Sequence, residues 1–334
     1  MKNVAALAGV SFKTVSRVVN GESGVSPQLE ERVLAAITEL GYEPNHGART
    51  LRRTEPQVAT IGFIHADISN PFMAAVHRSL ESVAAQHGCL MLSGSAHELP
   101  ARHEELIKAF TGRRVDGLAI VPVGDSQPQP SAALAHEIQR DTPIVFLDRD
   151  PGFDSDMVMS DHRGGAELAT QHLLNYHHRH IAFLGSRQHV HSVAERKAGF
   201  ESTMRRAGET ESTVVTGLQM TDEAFKAVRD LLSRPRAERP TAIFAAENNM
   251  TLGAVQALHE LGLQHQVALV GFDHIDAVDL VDPGVTTVPQ DAEEVGRRAG
   301  ELLFSRLLDG RTDPTREIVP MTIVARGSGE ISAR

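Results

Sequence analysis

In the stretch VAALAGVSFKTVSRVVNG, residues 4–21, polar side chains interrupt what would otherwise be the apolar positions of a very short helix. Phe12, Lys13 and Arg17, spaced 1, 4 and 5 apart, share one face of such a helix. Lys and Arg donate to guanine O6 and N7 in a major groove, and an aromatic ring packs on a thymine methyl. Ser11, Thr14 and Ser16 are short hydroxyl donors suited to phosphate oxygens, which fix register without reading sequence. The plainer alternative for Lys13 and Arg17 is a solvated helix face.

A second set of polar residues follows strand-like runs further along. Asp67, Ser69, Asn70 and Phe72 come after IGFI, Ser93 and Ser95 after LML, and Asp148 and Arg149 after PIVFL. Glu247, Asn248 and Asn249 come after AIFAA, and Asp273 after VALVGF. In open parallel sheets ligands collect beyond the carboxyl ends of the strands. Carboxylates, amides and hydroxyls at those ends suit a small polar ligand such as a sugar or nucleoside, with Phe72 as an apolar face.

These groups need elements to hold them. Residues 2–8 and 12–20 read as two helices broken by Ala-Gly-Val-Ser, a helix-turn-helix with Gly9 at the turn and a core of Val4, Ala5, Ala8, Val10, Val15 and Val18/Val19. In such a unit the start of the second helix faces the groove. A third helix is predicted from Ser26 as N-cap with Pro27 at its first position. Its apolar stripe is Leu29, Val33, Ala36/Ile37 and Leu40, and Gly41 stops it. The basic segment EPNHGARTLRRTEPQ follows as a linker. From Val58 onward nearly continuous apolar strands alternate with helical stretches, among them 71–87, 164–176 and 250–261. That alternation predicts buried parallel sheets in an α/β architecture, long enough for two lobes. The expected domains are 1–44, 45–57 and 58–330.

Bulk composition narrows the classes. The 334 residues are 41% hydrophobic and 23% charged, ordinary for a soluble globular chain. No apolar run approaches the roughly 20 residues of a membrane span. The N-terminus lacks the apolar core of a signal peptide. A single cysteine, Cys89, fits a reducing cytoplasm. Net charge is −10, yet residues 1–57 carry 7 Lys+Arg against 6 Asp+Glu, so only this segment tolerates a polyanion.

The run from Val4 through VSPQLEERVLAAITELGYEPNHGARTLR closely resembles the DNA-binding headpiece of the lactose/galactose repressor family. The resemblance continues through GFIHADISNPF, RRVDGLAIVP, IVFLDR, ERKAGF, VALVGFD, TTVPQD and ARGS, to about Ser328. It implies an all-α helix-turn-helix headpiece, a hinge, and a two-lobed domain like periplasmic sugar-binding proteins. It implies a homodimer on pseudopalindromic double-stranded DNA, released or retained by a small effector, with no cofactor, no metal and no membrane. By the resemblance NHGARTLR is the hinge helix, Leu51 the minor-groove wedge and Ala48 its small neighbour. An apolar wedge offsets the cost of unstacking by opening a bent, wider groove. Asn20 and Asn45 join the DNA-contacting set. In the cleft Arg196 and Asp273 match the family's ligand-contacting Arg and Asp, able to hold a pair of sugar hydroxyls. Phe72 matches an apolar wall, and Asn70, Asp148, Arg149, Asp161, Glu247 and Asn248 complete the candidate set. Structural pairing between neighbouring strands is the competing reading for Asp148, Arg149 and Asp161.

Three features depart from the family pattern. Glu247-Asn248 stands where Asn-Asp is usual, at an effector-contacting position. His177-His178 replaces Gly-His after a second-lobe helix, which forces a non-glycine residue into a left-handed turn. The chain starts at MKNVA with no Thr or Ser to cap the first helix, and a lost cap costs about 1 kcal/mol. An upstream start or weakened DNA binding is therefore expected. No heptad tail follows ARGS, so no tetramerisation segment is expected. The clusters His177/His178/His180 and His189/His191 read as surface histidines rather than a metal site. No nucleophile elbow, phosphate loop or HExxH is present, which disfavours a sugar-processing enzyme. A sugar-binding protein without a DNA role is the remaining alternative.

Overall fold

The computed structural model describes residues 2–19, 24–40, 60–124, 129–186, 190–209, 212–275, 278–311 and 313–333. They divide into two units, Met1–Ala59 and Thr60–Arg334.

Among the described residues the first unit holds helices α1 (Lys2–Ala8), α2 (Phe12–Val19) and α3 (Pro27–Glu39). Its core is Val4, Ala8, Val15, Val33 and Ala36, flanked by Ala5, Val10, Val18, Val19 and Ile37. Gly9 takes φ 62° between α1 and α2. A Cβ there would lie 2.8 Å from Arg32 Nη2, and that nitrogen donates to Ala8 O at 2.6 Å. The left-handed turn thus favours glycine, and a Cβ would also push on the end of the Arg32 side chain. The α3 start differs in detail from expectation. Ser26 is extended and Pro27 opens the helix, but the serine side chain makes no cap bond. Its carbonyl takes the Leu29 and Glu30 N–H groups, each at 3.0 Å, and at this exposed terminus the other donors face water.

The second unit begins with β1 (Thr60–His65), α4 (Pro71–Gln86), β2 (Leu90–Ser95), α5 (Pro100–Gly112), β3 (Gly117–Ile120), α6 (Ala132–Gln139), β4 (Ile144–Leu147) and β5 (Asp156–Ser160). It continues with α7 (His162–Asn175), β6 (Ile181–Leu184), α8 (His191–Arg206), β7 (Ser212–Val215), α9 (Thr221–Leu232), β8 (Ala242–Ala245), α10 (Asn248–Glu260) and β9 (Ala268–Phe272). It closes with β10 (Thr286–Val288), α11 (Ala292–Asp309) and β11 (Arg316–Val319). The first lobe holds a sheet in the order β11-β5-β4-β3-β1-β2, the second one in the order β10-β9-β8-β6-β7. Every ladder is parallel. Central strands such as Gly117–Ile120 and Ala242–Ala245 are buried throughout, as sheets covered on both faces must be. Phe183, Phe200, Phe244 and Phe272 form one aromatic run in the second core.

Strand order reverses between β1 and β3 in the first lobe and between β6 and β8 in the second. These are the two places where α/β sheets open a crevice for ligands. The chain passes between lobes three times: after β5, between β10 and α11, and after β11, where Met321 joins the second core. Asp161 N donates to Val319 O at 2.9 Å, tying the first crossing to the third.

His177 ends α7 at φ 67°, and its N–H donates to Leu174 O at 3.0 Å. The left-handed residue expected from the sequence is there. Its strain is about 1–2 kcal/mol, so His177→Gly, net of about 0.5–1 kcal/mol for the added chain entropy of glycine, is expected to raise stability by about 0.5–1 kcal/mol. Urea unfolding of both proteins measures this; a lower midpoint for the glycine variant refutes it. His178 departs from expectation. It is fully buried, with Nδ1 2.9 Å from Thr241 Oγ1 and Nε2 2.7 Å from Ile331 O. It is a structural clamp for the C-terminal segment, not a surface histidine. His189 lies outside the described residues.

A helix face and a buried inter-lobe cluster as candidate functional sites

The start of α2 is arranged by its cap. Ser11 Oγ accepts the Thr14 N–H at 3.1 Å and sits 2.9 Å from Thr14 Oγ1. Val15 is then pinned in the core, which leaves Phe12 46% exposed and Lys13 exposed beside it. Arg17 is half-buried, close to Gly24. Ser16 differs from the expected phosphate donor: at 8% exposure it is buried with Val15 rather than presented outward. Asn20, Asn45, Ala48 and Leu51 lie outside the described residues.

In the second unit the strand ends converge on buried charges. Arg196, on α8, is 3% exposed. Its Nη1 donates to Ala246 O at 2.6 Å and Asp273 Oδ2 at 3.3 Å, and its Nη2 to Asp273 Oδ1 at 3.1 Å. The guanidinium lies 4.0 Å over the Phe272 ring, a cation–π contact strengthened by desolvation. Asp273, at φ 71° just beyond β9, also accepts Gln290 Nε2 at 2.7 Å. Arg196 Nη2 lies 3.3 Å from His162 Nδ1, and His162 Nε2 lies 3.1 Å from Asp148 O. Since guanidinium only donates, His162 Nδ1 must accept and Nε2 carries the proton. One chain of bonds thus runs from Asp148 in the first lobe to Asp273 in the second. Burial works to raise the Asp148 carboxyl, but the hydrogen bond from His162 and the charges of Arg149 and Arg196 outweigh it and hold it below the ordinary carboxylate range.

Other candidates have local partners. Arg149 makes a bidentate pair with Glu98, at 2.9 and 2.7 Å, and also donates to Pro122 O. Arg149 is thus held by a partner from the loop that follows β2. Asp161 Oδ1 caps α7 through Gly164 N at 2.8 Å. Asn70 Oδ1 caps α4 through Phe72 N at 3.0 Å, and Phe72 is buried. Asn248 Oδ1 accepts Asn249 N. Glu247 Oε1 accepts Ser186 N at 2.7 Å, joining the ends of β6 and β8. His162, Gln290 and Glu98 were not among the sequence candidates. His162 and Gln290 sit on the inter-lobe crossings, and Glu98 reaches Arg149 from a loop whose His97 and Glu98 both take positive φ.

At the first lobe's switch point, His65 is 3% exposed with an unpartnered Nδ1. Burial, with His77 adding to it, lowers its pKa to about 4. The folded state therefore resists protonation that the unfolded chain accepts near its ordinary value of 6.5. Stability is expected to rise as pH increases from about 4 to 6.5. His65→Gln should flatten that slope, read from urea midpoints at pH 4.5 and 7; an unchanged slope excludes His65 as its source. Among the described residues, no group of His, Cys, Asp or Glu is placed to hold a metal ion, and no helix is long and apolar enough to cross a membrane.

Residues 1–45 match the family described as bacterial regulatory proteins, lacI family, and residues 170–329 match the periplasmic binding protein-like domain. The ribose operon repressor of Escherichia coli (strain K12) is 32% identical over 333 residues, covering 98% of this chain and 99% of that protein. The HTH-type transcriptional regulator CelR of Thermobifida fusca is 32% identical over 339 residues, covering 98% of each. The fold is similar to the lac repressor dimer bound to operator and the anti-inducer ONPF, with TM-score 0.84, 27% identity, and 98% and 97% of the two chains covered. It is also similar to the CelR–cellobiose complex, with TM-score 0.71, 30% identity and 98% of each chain covered. Three described helices with an exposed second-helix face, two parallel-sheet lobes around a buried charge cluster, and near-full-length relatives together make this chain a member of the lacI family of bacterial regulatory proteins, DNA-binding transcriptional regulators and not enzymes.

Proposed function

We propose that the chain is a cytoplasmic repressor that binds double-stranded DNA as a homodimer and answers to a small polar effector, a sugar, held between the lobes of the second unit. The carrying observation is the buried chain Asp148–His162–Arg196–Asp273, which links the two lobes through one histidine. A ligand whose hydroxyls bond Arg196 and Asp273 competes with His162 for the guanidinium. Losing that bond loosens the tie to Asp148 and lets the lobes reorient about their three crossings. Reorientation reaches DNA through the 45–57 segment, with Leu51 as minor-groove wedge, Ala48 beside it, and Asn45 and Asn20 among the DNA contacts. Phe12, Lys13 and Arg17 read base edges, while Ser11 and Thr14 serve phosphates. Names of relatives support a sugar: one represses a ribose operon and another is solved with cellobiose. The lac repressor relative is solved as a dimer, and two-fold symmetry in the protein is mirrored by two-fold symmetry in its operator.

Selection of bound sequences from random duplex DNA, using the full chain, tests the DNA half of this reading. An enriched inverted repeat with half-sites about one helical turn apart is expected. No enrichment, with or without added upstream residues that supply a helix cap, would favour a sugar-binding protein without a DNA role.

A further inference from the structure

The cluster's charges do not balance, and the surplus points to the chemistry of the effector. Arg149 and Arg196 are its cations. Arg149 is taken by Glu98 and flanked by Asp148, and Arg196 is taken by Asp273. His162 accepts from Arg196 and so carries no charge in this arrangement. His191, near Asp148, is half-buried, and that burial holds its pKa low. Asp150 pairs outward with Arg316. Four carboxyls, Glu98, Asp148, Asp273 and Glu247, thus face two guanidiniums.

Glu247 is the one without a salt bridge among the described residues. It sits at the second lobe's switch point, its Oε1 fixed 2.7 Å from Ser186 N. Arg196, the nearest cation in effect, is turned to Asp273, the Ala246 carbonyl and the Phe272 face instead. Burial raises the Glu247 carboxyl above the ordinary range, the attraction of Arg196 works against this, and Asp273 adds to it. A further negative charge worsens the imbalance. A positive one relieves it.

Resting on the sugar reading above, we propose that Glu247 makes the cleft a charge filter: the effector is a polyol without phosphate or carboxylate, and one bearing an amino group in place of a hydroxyl binds more tightly than its neutral counterpart. The neutral amide usual at this position in the family cannot make that distinction. Glu247 acts by direct contact, its carboxylate accepting from the ligand's ammonium as a charge-assisted bond.

Calorimetric titration of the full chain with matched hexose series is the test: glucose, glucosamine and glucose 6-phosphate, and the galactose and mannose equivalents. In the series that binds, the amino member is expected at least tenfold tighter than the neutral one, and the phosphate undetectable. In Glu247→Gln the amino preference should fall below threefold, whatever the change in affinity for the neutral sugar. A phosphate binding as well as the neutral sugar, equal binding of neutral and amino members, or a preference that survives the Gln substitution each overturns the charge filter and leaves the sugar reading standing. Binding by no member of any series overturns both. The wild-type comparison stands alone if the variant fails to fold.

Discussion

Arg196→Met is expected to weaken effector binding at least a hundredfold and to lower stability by about 3–5 kcal/mol, the usual cost of leaving one partner of a buried ion pair. Asp273 is 5% exposed and would keep only Gln290 of its present side-chain donors. Ala246 O would lose its short bond to Nη1. The two effects are separable. In the double variant Arg196→Met/Asp273→Asn the Asp273 carboxylate is no longer stranded, and Asn tolerates the left-handed backbone that Asp273 occupies at φ 71°. Most of the lost stability should return, while effector binding should not. Urea unfolding and calorimetry on the same preparations distinguish these outcomes. Recovery of effector binding in the double variant would mean that the pair is scaffolding and the ligand sits elsewhere.

The second large effect concerns the face of α2. Lys13→Ala and Arg17→Ala should each weaken operator binding by about 1–3 kcal/mol per half-site if they read bases. A base reader loses discrimination at one position, whereas a phosphate contact weakens all sequences alike and reduces the salt slope by about one. Fluorescence anisotropy on the selected operator and on single-base variants, across a salt series, separates the two. Lys13 is exposed and expected to behave as a base reader. Unchanged affinity for both variants would mean that the helix face is merely solvated.

Much of this was legible in the sequence, for reasons that differ by residue. Val4, Ala8 and Val15 had to be core because helical spacing leaves them nowhere else to go. Parallel sheets followed from apolar runs such as Ala242–Ala245, too continuous for a half-exposed strand. His177 was readable because it stands where the resembled family usually has glycine, and the left-handed turn is kept there. The cluster was legible in part. Arg196 and Asp273 stood out by resemblance, but His162 and Gln290 gain their role from the lobe crossings, which bring residues 128 apart in sequence into one bond network. Glu98 was hidden in a loop whose two successive left-handed residues give no sequence signal of their own. Asn70 and Asp161 carried the right chemistry, yet helix starts claimed their side chains. The buried Ser16 and His178 show the converse, polar residues that pattern alone places outside.

Linkage between the two sites is the central claim, and thermodynamics makes it reciprocal. The most direct measurement is a pair of titrations on the full chain: operator binding with and without the tightest sugar of the series, and sugar binding with and without saturating operator. The account predicts that both affinities shift by the same factor, at least fivefold, and that Arg196→Met/Asp273→Asn binds operator with no response to sugar. A sugar that binds tightly yet leaves operator affinity unchanged would contradict it.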